Sequence, residues 1–198
     1  MPYDPQRHHR RSIRLAGHDY SAPQVSFVTI CTQTRGATLG TVRAGAVALN
    51  EGGTIARDYW LALPTRYAAV TLDAWVVMPD HLHGLLILGP AGATPGADPG
   101  VMGGDRAAPG GDRAAPGGDH VGSPLRCYDR VTIGDIVGWF KTMTTNAYIR
   151  GVRERGWPPF NGRFWQRNYY ERIVRTDAAL DRVRTYIAQN PAKYRGPP

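Results

Sequence analysis

Two short apolar stretches joined by Pro79-Asp80 constrain this chain more than any other feature. Residues 72–78 and 85–88 are rich in branched side chains and bounded by turn formers, which predicts strands rather than helices. Pro79-Asp80 supplies the tight connection, so 70–78 and 81–88 form a hairpin. Side chains alternate faces along a strand. His81 and His83 therefore point the same way, with Leu85 and Ile87, while Leu82, Gly84, Leu86 and Leu88 take the other face. Two imidazoles roughly 7 Å apart on one strand face can converge on one metal ion. A histidine pair at i, i+2 also arises without function, so its meaning depends on what accompanies it.

The far end of the chain supplies that company. Residues 176–191 read as a helix, capped by Thr176 or Asp177, with Leu180, Val183 and Ile187 as its apolar stripe and Pro191 as its stop. Tyr186 and Asn190 are four residues apart, hence neighbours on one face beside that stripe. Alone, they would be a half-buried aromatic and a helix C-cap. Beside two histidines, a phenol and a carboxamide make a chemical constellation.

These pieces resemble the HUH-type single-tyrosine transposases of bacterial insertion sequences, and most of all the REP-associated tyrosine transposases. His81-Leu82-His83 matches the His-hydrophobic-His motif, and Tyr186-Ile187-Ala188-Gln189-Asn190-Pro191 is similar to the nucleophile helix. Arg10-Arg11-Ser12-Ile13-Arg14-Leu15 with Asp19-Tyr20-Ser21 resembles the family's N-terminal lead-in, and Phe27-Val28-Thr29-Ile30-Cys31-Thr32 its first strand. Trp75-Val76-Val77-Met78-Pro79-Asp80-His81 matches the hairpin, and Trp165-Gln166-Arg167-Asn168-Tyr169-Tyr170-Glu171 the last strand. The resemblance implies Tyr186 as nucleophile and His81, His83 and Asn190 as ligands of Mg2+ or Mn2+. Many insertion-sequence members carry Gln at the third ligand position; here Asn190 stands there, as in the REP-associated branch, with Gln189 one residue away. Ligand chemistry alone leaves the metal more open, since imidazoles also suit Zn2+ and Ni2+.

The implied reaction is cleavage and transfer of single-stranded or hairpin DNA through a 5′-phosphotyrosine. Tyr169 and Tyr170 are rival nucleophiles, but they fall on an expected strand without an amide at i+4. Asp80 is either a turn residue or a carboxylate orienting a histidine. Lys141 and Arg167 are candidate phosphate contacts, and Trp139, Trp165 and Tyr169 candidate base-stacking rings. A homodimer with the tyrosine acting in trans and a monomer both occur among the relatives the resemblance points to. A non-catalytic hairpin binder is the competing function. An RRM-like RNA-binding module is disfavoured because a histidine pair replaces the expected strand aromatics.

Composition agrees with a polyanionic partner. The formal net charge is +8, with Arg7, Arg10, Arg11 and Arg14 in an N-terminal arm and a second crowd of arginines from Arg150 to Arg184. Cys31 and Cys127 have no metal-binding spacing, which suits a reduced protein of the cytoplasm, associated with the nucleoid through DNA. Neither a signal-peptide pattern nor an apolar run of membrane-spanning length is present, so no membrane partner is expected.

The domain plan is a basic arm at 1–22 and one catalytic domain over 23–198, interrupted at about 90–124. There Gly103-Gly104-Asp105-Arg106-Ala107-Ala108-Pro109 recurs as Gly110-Gly111-Asp112-Arg113-Ala114-Ala115-Pro116, a composition that predicts a disordered insertion. Residues 24–32 read as a first strand, and 38–49 has no decisive pattern, a short hairpin being one reading. Asn50 caps a helix over 50–63 with Ile55, Tyr59 and Leu63 on one face and Pro64 as its stop. Thr132 and Asp135 have capping-box spacing and open a helix over 133–153, with Ile133, Ile136, Val137, Phe140, Met143 and Ala147 on one face. Residues 164–174 read as the last strand. The order predicts an α+β fold: an antiparallel sheet with helices on one face, ferredoxin-like or RRM-like, plus the C-terminal tyrosine helix.

Overall fold

A computed structural model describes residues 22–34, 36–89 and 131–196. The basic arm and the repeat segment expected to be disordered therefore lie outside the described residues, and with them Arg10, Arg11 and Arg14.

Four strands form one antiparallel sheet: β1 (Gln24–Cys31), β4 (Val70–Val77), β5 (His81–Leu88) and β6 (Tyr170–Val174), in the order β4-β5-β1-β6. The two strands of the Pro79-Asp80 hairpin are β4 and β5, as their patterns predict. A second, two-stranded sheet is the hairpin β2 (Gly40–Arg43) and β3 (Ala46–Leu49), which resolves the open reading of 38–49. The fold is thus α+β, as expected, and no described helix is long and apolar enough to cross a membrane.

The helices divide between the sheet's two faces. α1 (Glu51–Leu61) and α3 (Ile133–Arg155) pack on the face that carries Val28, Ile30, Leu82, Leu86 and Leu88. α4 (Asp177–Lys193) lies on the other, where Phe27, Leu85, Val174 and Ile187 are buried with Leu180 and Val183 against them. The side chains of β5 alternate between these faces as expected, Leu82 and Leu86 going one way and His83 and Leu85 the other.

Caps follow the side chains that call for them. Asn50 accepts from Gly53 N–H at 2.9 Å, Thr132 and Asp135 complete a reciprocal capping box, and Thr176 accepts from Ala179 N–H at 3.2 Å.

Five expectations are corrected. The buried residues of α1 are Gly52, Gly53, Ala56 and Trp60, so its inner face is rotated from the expected Ile55 and Tyr59, which pack at the margin. Trp60 goes in because Gly84 makes room for it: a Cβ at Gly84 would collide with the indole. Pro64 does not end the helical course; it sits in the first turn of a short helix, α2 (Leu63–Arg66), where a missing N–H costs nothing.

On α3 the buried positions continue as Thr144, Tyr148 and Gly151 rather than Met143 and Ala147. Thr144 turns inward because its hydroxyl donates to Phe140 C=O at 2.7 Å and accepts from the buried Trp165 indole at 2.7 Å.

The last strand is shorter than expected, Tyr170–Val174 only. Upstream, Gln33 N–H bonds Phe164 C=O and Gln166 N–H bonds Cys31 C=O, with an isolated bridge between Thr32 and Trp165. The Lys141 ammonium then donates to the carbonyls of Gln166 (2.9 Å) and Asn168 (3.1 Å), which bends the chain off the ladder. Finally, Pro191 does not stop α4, which runs on to Lys193. Near the end of a helix a proline removes one bond and leaves the last turn to its neighbours.

Candidate active site

His81 and His83 share the α4 face of β5, with ring centroids 4.5 Å apart. Each has its Nδ1 engaged. His83 Nδ1 lies 2.8 Å from Thr29 Oγ1, its cross-strand neighbour on β1. His81 Nδ1 lies 2.7 Å from an Asp80 carboxylate oxygen. Asp80 is buried, and Thr32 fixes its backbone by donating both N–H and O–H to its carbonyl at 2.9 Å. Asp80 is therefore more than a turn residue: it orients His81. The arrangement leaves the Nε2 side of both rings toward the site.

α4 brings Tyr186 to the pair. Its hydroxyl is 3.3 Å from His83 Nε2, and its ring stands edge-on to His83 at 5.2 Å. Phe27 supports both groups, stacked on His83 at 5.4 Å and edge-on to Tyr186 at 6.0 Å. Burial, and then the charge of His81, push the His83 pKa down to about 3, so this ring is neutral. A neutral imidazole has one N–H. Given to Thr29, that N–H leaves Nε2 an acceptor facing the phenol.

Asn190 follows Tyr186 by one turn of α4 and is half-buried. Gln189, one residue away, instead accepts from Lys193 Nζ at 2.7 Å. Among the described residues no three His, Cys, Asp or Glu side chains gather as a metal cage. Two imidazoles whose Nδ1 atoms are already engaged have the chemistry to offer two nitrogens to a divalent ion, and Asn190 is the carboxamide one helical turn from Tyr186.

The remaining candidates are placed as follows. Arg167 is exposed. Lys141 is largely buried, its pKa lowered by that burial to about 8, and its ammonium is directed at the 166–168 carbonyls. Trp165 is buried, and Trp139 packs edge-on against Tyr59 and Tyr67. The Tyr169 hydroxyl donates to Glu171 at 3.2 Å, with the Lys141 ammonium 5.5 Å from its ring. The Tyr186 phenol, by contrast, meets the His83 imidazole.

Sequence reasoning missed three participants: Thr29, Phe27 and Asp73. The first two are legible only once β1 is known to pair with β5, opposite His83 and Leu85. Asp73 sits where the β4–β5 register shifts between Leu72 and Trp75. Arg184, two residues before Tyr186, grips it with Nε at 3.1 Å and Nη2 at 2.6 Å. A bulge re-aims side chains, and here it accompanies a carboxylate that clasps the helix carrying the phenol.

No protein-family model matches the chain. A protein of Haemophilus influenzae is 30% identical over 192 residues, covering 96% of this chain and 92% of the relative. Among solved structures, a REP-associated tyrosine transposase bound to a REP hairpin superposes with a TM-score of 0.53 at 17% identity, covering 91% of this chain and 74% of that one. The α+β fold is thus shared with that transposase. The chain belongs to the family of the Haemophilus influenzae protein.

Proposed function

We propose that this protein cleaves and rejoins single-stranded or hairpin-tipped DNA with Tyr186 as nucleophile. The observation that carries the reading is the Tyr186 hydroxyl set 3.3 Å from His83 Nε2, in a histidine pair whose Nδ1 atoms are both already engaged. The transposase whose fold this chain shares supports the same chemistry.

Tyrosine is a weak nucleophile at neutral pH, with about one phenol in a thousand ionised. Its Oη attacks phosphorus, the bond from phosphorus to the 3′ oxygen breaks, and that oxygen takes up a proton. The products are a 5′-phosphotyrosine and a free 3′-hydroxyl, and reversal of the exchange rejoins strands without an external energy source. The phenolic proton leaves toward solvent, to which the half-exposed Tyr186 is open. Mg2+ or Mn2+, held by His81, His83 and Asn190, would polarise the scissile phosphate as a Lewis acid. Thr29 and Asp80 hold the two rings in orientation, and Phe27 keeps water from one side of His83. The basic arm, with Arg10, Arg11 and Arg14, and the exposed Arg167 contribute phosphate contacts, with Lys141 holding the segment that carries Arg167.

The test is a denaturing gel. The parent protein, incubated with Mg2+ or Mn2+ and a hairpin oligonucleotide labelled at one end, should retain the label downstream of the cut. Tyr186→Phe should bind equally and retain none. Absence of an adduct from the parent on every hairpin tried would make the protein a binder rather than an enzyme. Replacing Arg10, Arg11 and Arg14 by Ala should flatten the salt dependence of binding.

A further inference from the structure

Three large apolar side chains stand out as exposed among the described residues: Leu61, Tyr170 and Tyr186. Two of the three converge on one ring. Tyr170 is edge-on to Phe27 at 6.5 Å, and Tyr186 is edge-on to the same ring at 6.0 Å. Pairing explains the convergence. Val76 faces His83, His83 faces Thr29, and Thr29 faces Tyr170, so one row crosses the sheet from β4 to β6. In the next row Leu85 faces Phe27, and Phe27 faces Arg172. Adjacent strands are about 4.8 Å apart, which puts the Tyr170 backbone about 10 Å from that of His83.

α4 packs mainly over β4 and β5, and on β6 Val174 joins the buried cluster while Tyr170 and Arg172 are left exposed. Tyr170 accordingly remains 57% exposed and Arg172 is exposed beside it, although both belong to the face that holds the reactive groups. A ring presented to solvent on a strand, braced from below by Phe27 and flanked by a guanidinium two residues on, has the components of a stacking platform for a base and its phosphate.

We infer that Tyr170 stacks on an unpaired nucleobase of the strand held at His81, His83 and Tyr186, and that Arg172 contacts that nucleotide's phosphate. The inference rests on the proposed function and extends it to a binding subsite. It commits to single-stranded nucleic acid because a base inside a duplex has no face to offer.

The test uses full-length protein and a hairpin oligonucleotide with a single-stranded extension in which 2-aminopurine replaces one base at a time. At one position the fluorescence should fall on binding to the parent, by stacking. Tyr170→Ala should abolish that quenching and weaken binding about tenfold, whereas Tyr170→Phe and Tyr170→Trp should preserve both. Arg172→Gln should lower the salt slope by about one phosphate. Binding to a fully paired duplex should be insensitive to Tyr170→Ala. Equal losses on duplex and single strand would overturn the inference as a general packing defect. Unchanged quenching in Tyr170→Ala, with the parent still forming its adduct, would overturn the inference alone. A parent that neither binds single strands nor forms an adduct would overturn the proposed function with it.

Discussion

The two faces of the sheet are built from the same strands and differ in almost everything else. The face under α1 and α3 is closed: Val28, Ile30, Leu82 and Leu86 meet Trp60, Ile136 and Phe140 with almost no exposure. The face under α4 is half covered. Its buried cluster is smaller, and its rows carry His81, His83, Thr29, Tyr170 and Arg172. One face supplies rigidity and the other spends it. Histidines can be held in reactive geometry on β5 because Leu82, Leu86 and Leu88, on its other side, fix the strand.

Deleting a side chain from each face should expose the contrast. Trp60→Ala, on the closed face, should cost about 3–5 kcal/mol in urea unfolding. Leu180→Ala, half-buried on the inner face of α4, should cost about 1 kcal/mol. Equal costs would mean that α4 shares fully in the core and that the open face is not open.

A smaller effect in stability but a larger one in chemistry is expected at Thr29. Thr29→Val keeps the shape and removes the partner of His83 Nδ1. Adduct formation should fall about 10–100-fold while unfolding changes by about 1 kcal/mol. A loss of stability matching the loss of rate would place Thr29 in the packing instead.

The smallest effect is expected at the clasp between Asp73 and Arg184. The pair is solvent-exposed on the arginine side, so Asp73→Asn should barely change global stability. It should loosen α4, visible as faster amide exchange around Tyr186 and an adduct rate reduced less than by Thr29→Val. The sign with pH is set by the Arg184 hydrogen bond, which holds the Asp73 carboxyl below its ordinary 3.8. The clasp is therefore intact above that value and is lost as pH falls through the lower native one. Exchange in α4 that does not depend on acid would break this account.

Local chemistry announced much of this. The hairpin around Pro79-Asp80, the caps at Asn50, Thr132 and Thr176, and the stripe of Leu180, Val183 and Ile187 all depend on residues within a few positions of one another. The errors share a cause. Trp60 displaces Tyr59 from the interior because Gly84, on another element, leaves space. Thr144 displaces Met143 because Trp165 needs an acceptor. The chain leaves the ladder after Gln166 because Lys141 holds the carbonyls of residues 166–168.

The sequence by itself determined that two histidines share a strand face and that a phenol and an amide share a helix face. Periodicities of 2 and 3.6 settle such questions without reference to the rest of the chain. Only the tertiary structure decided that these two faces meet, that Thr29 and Asp80 anchor the rings, and that Tyr170 stands uncovered at the sheet's edge. Those outcomes depend on which strands pair and on which face each helix covers, contacts between residues as far apart as Tyr186 and His83, which no local pattern records.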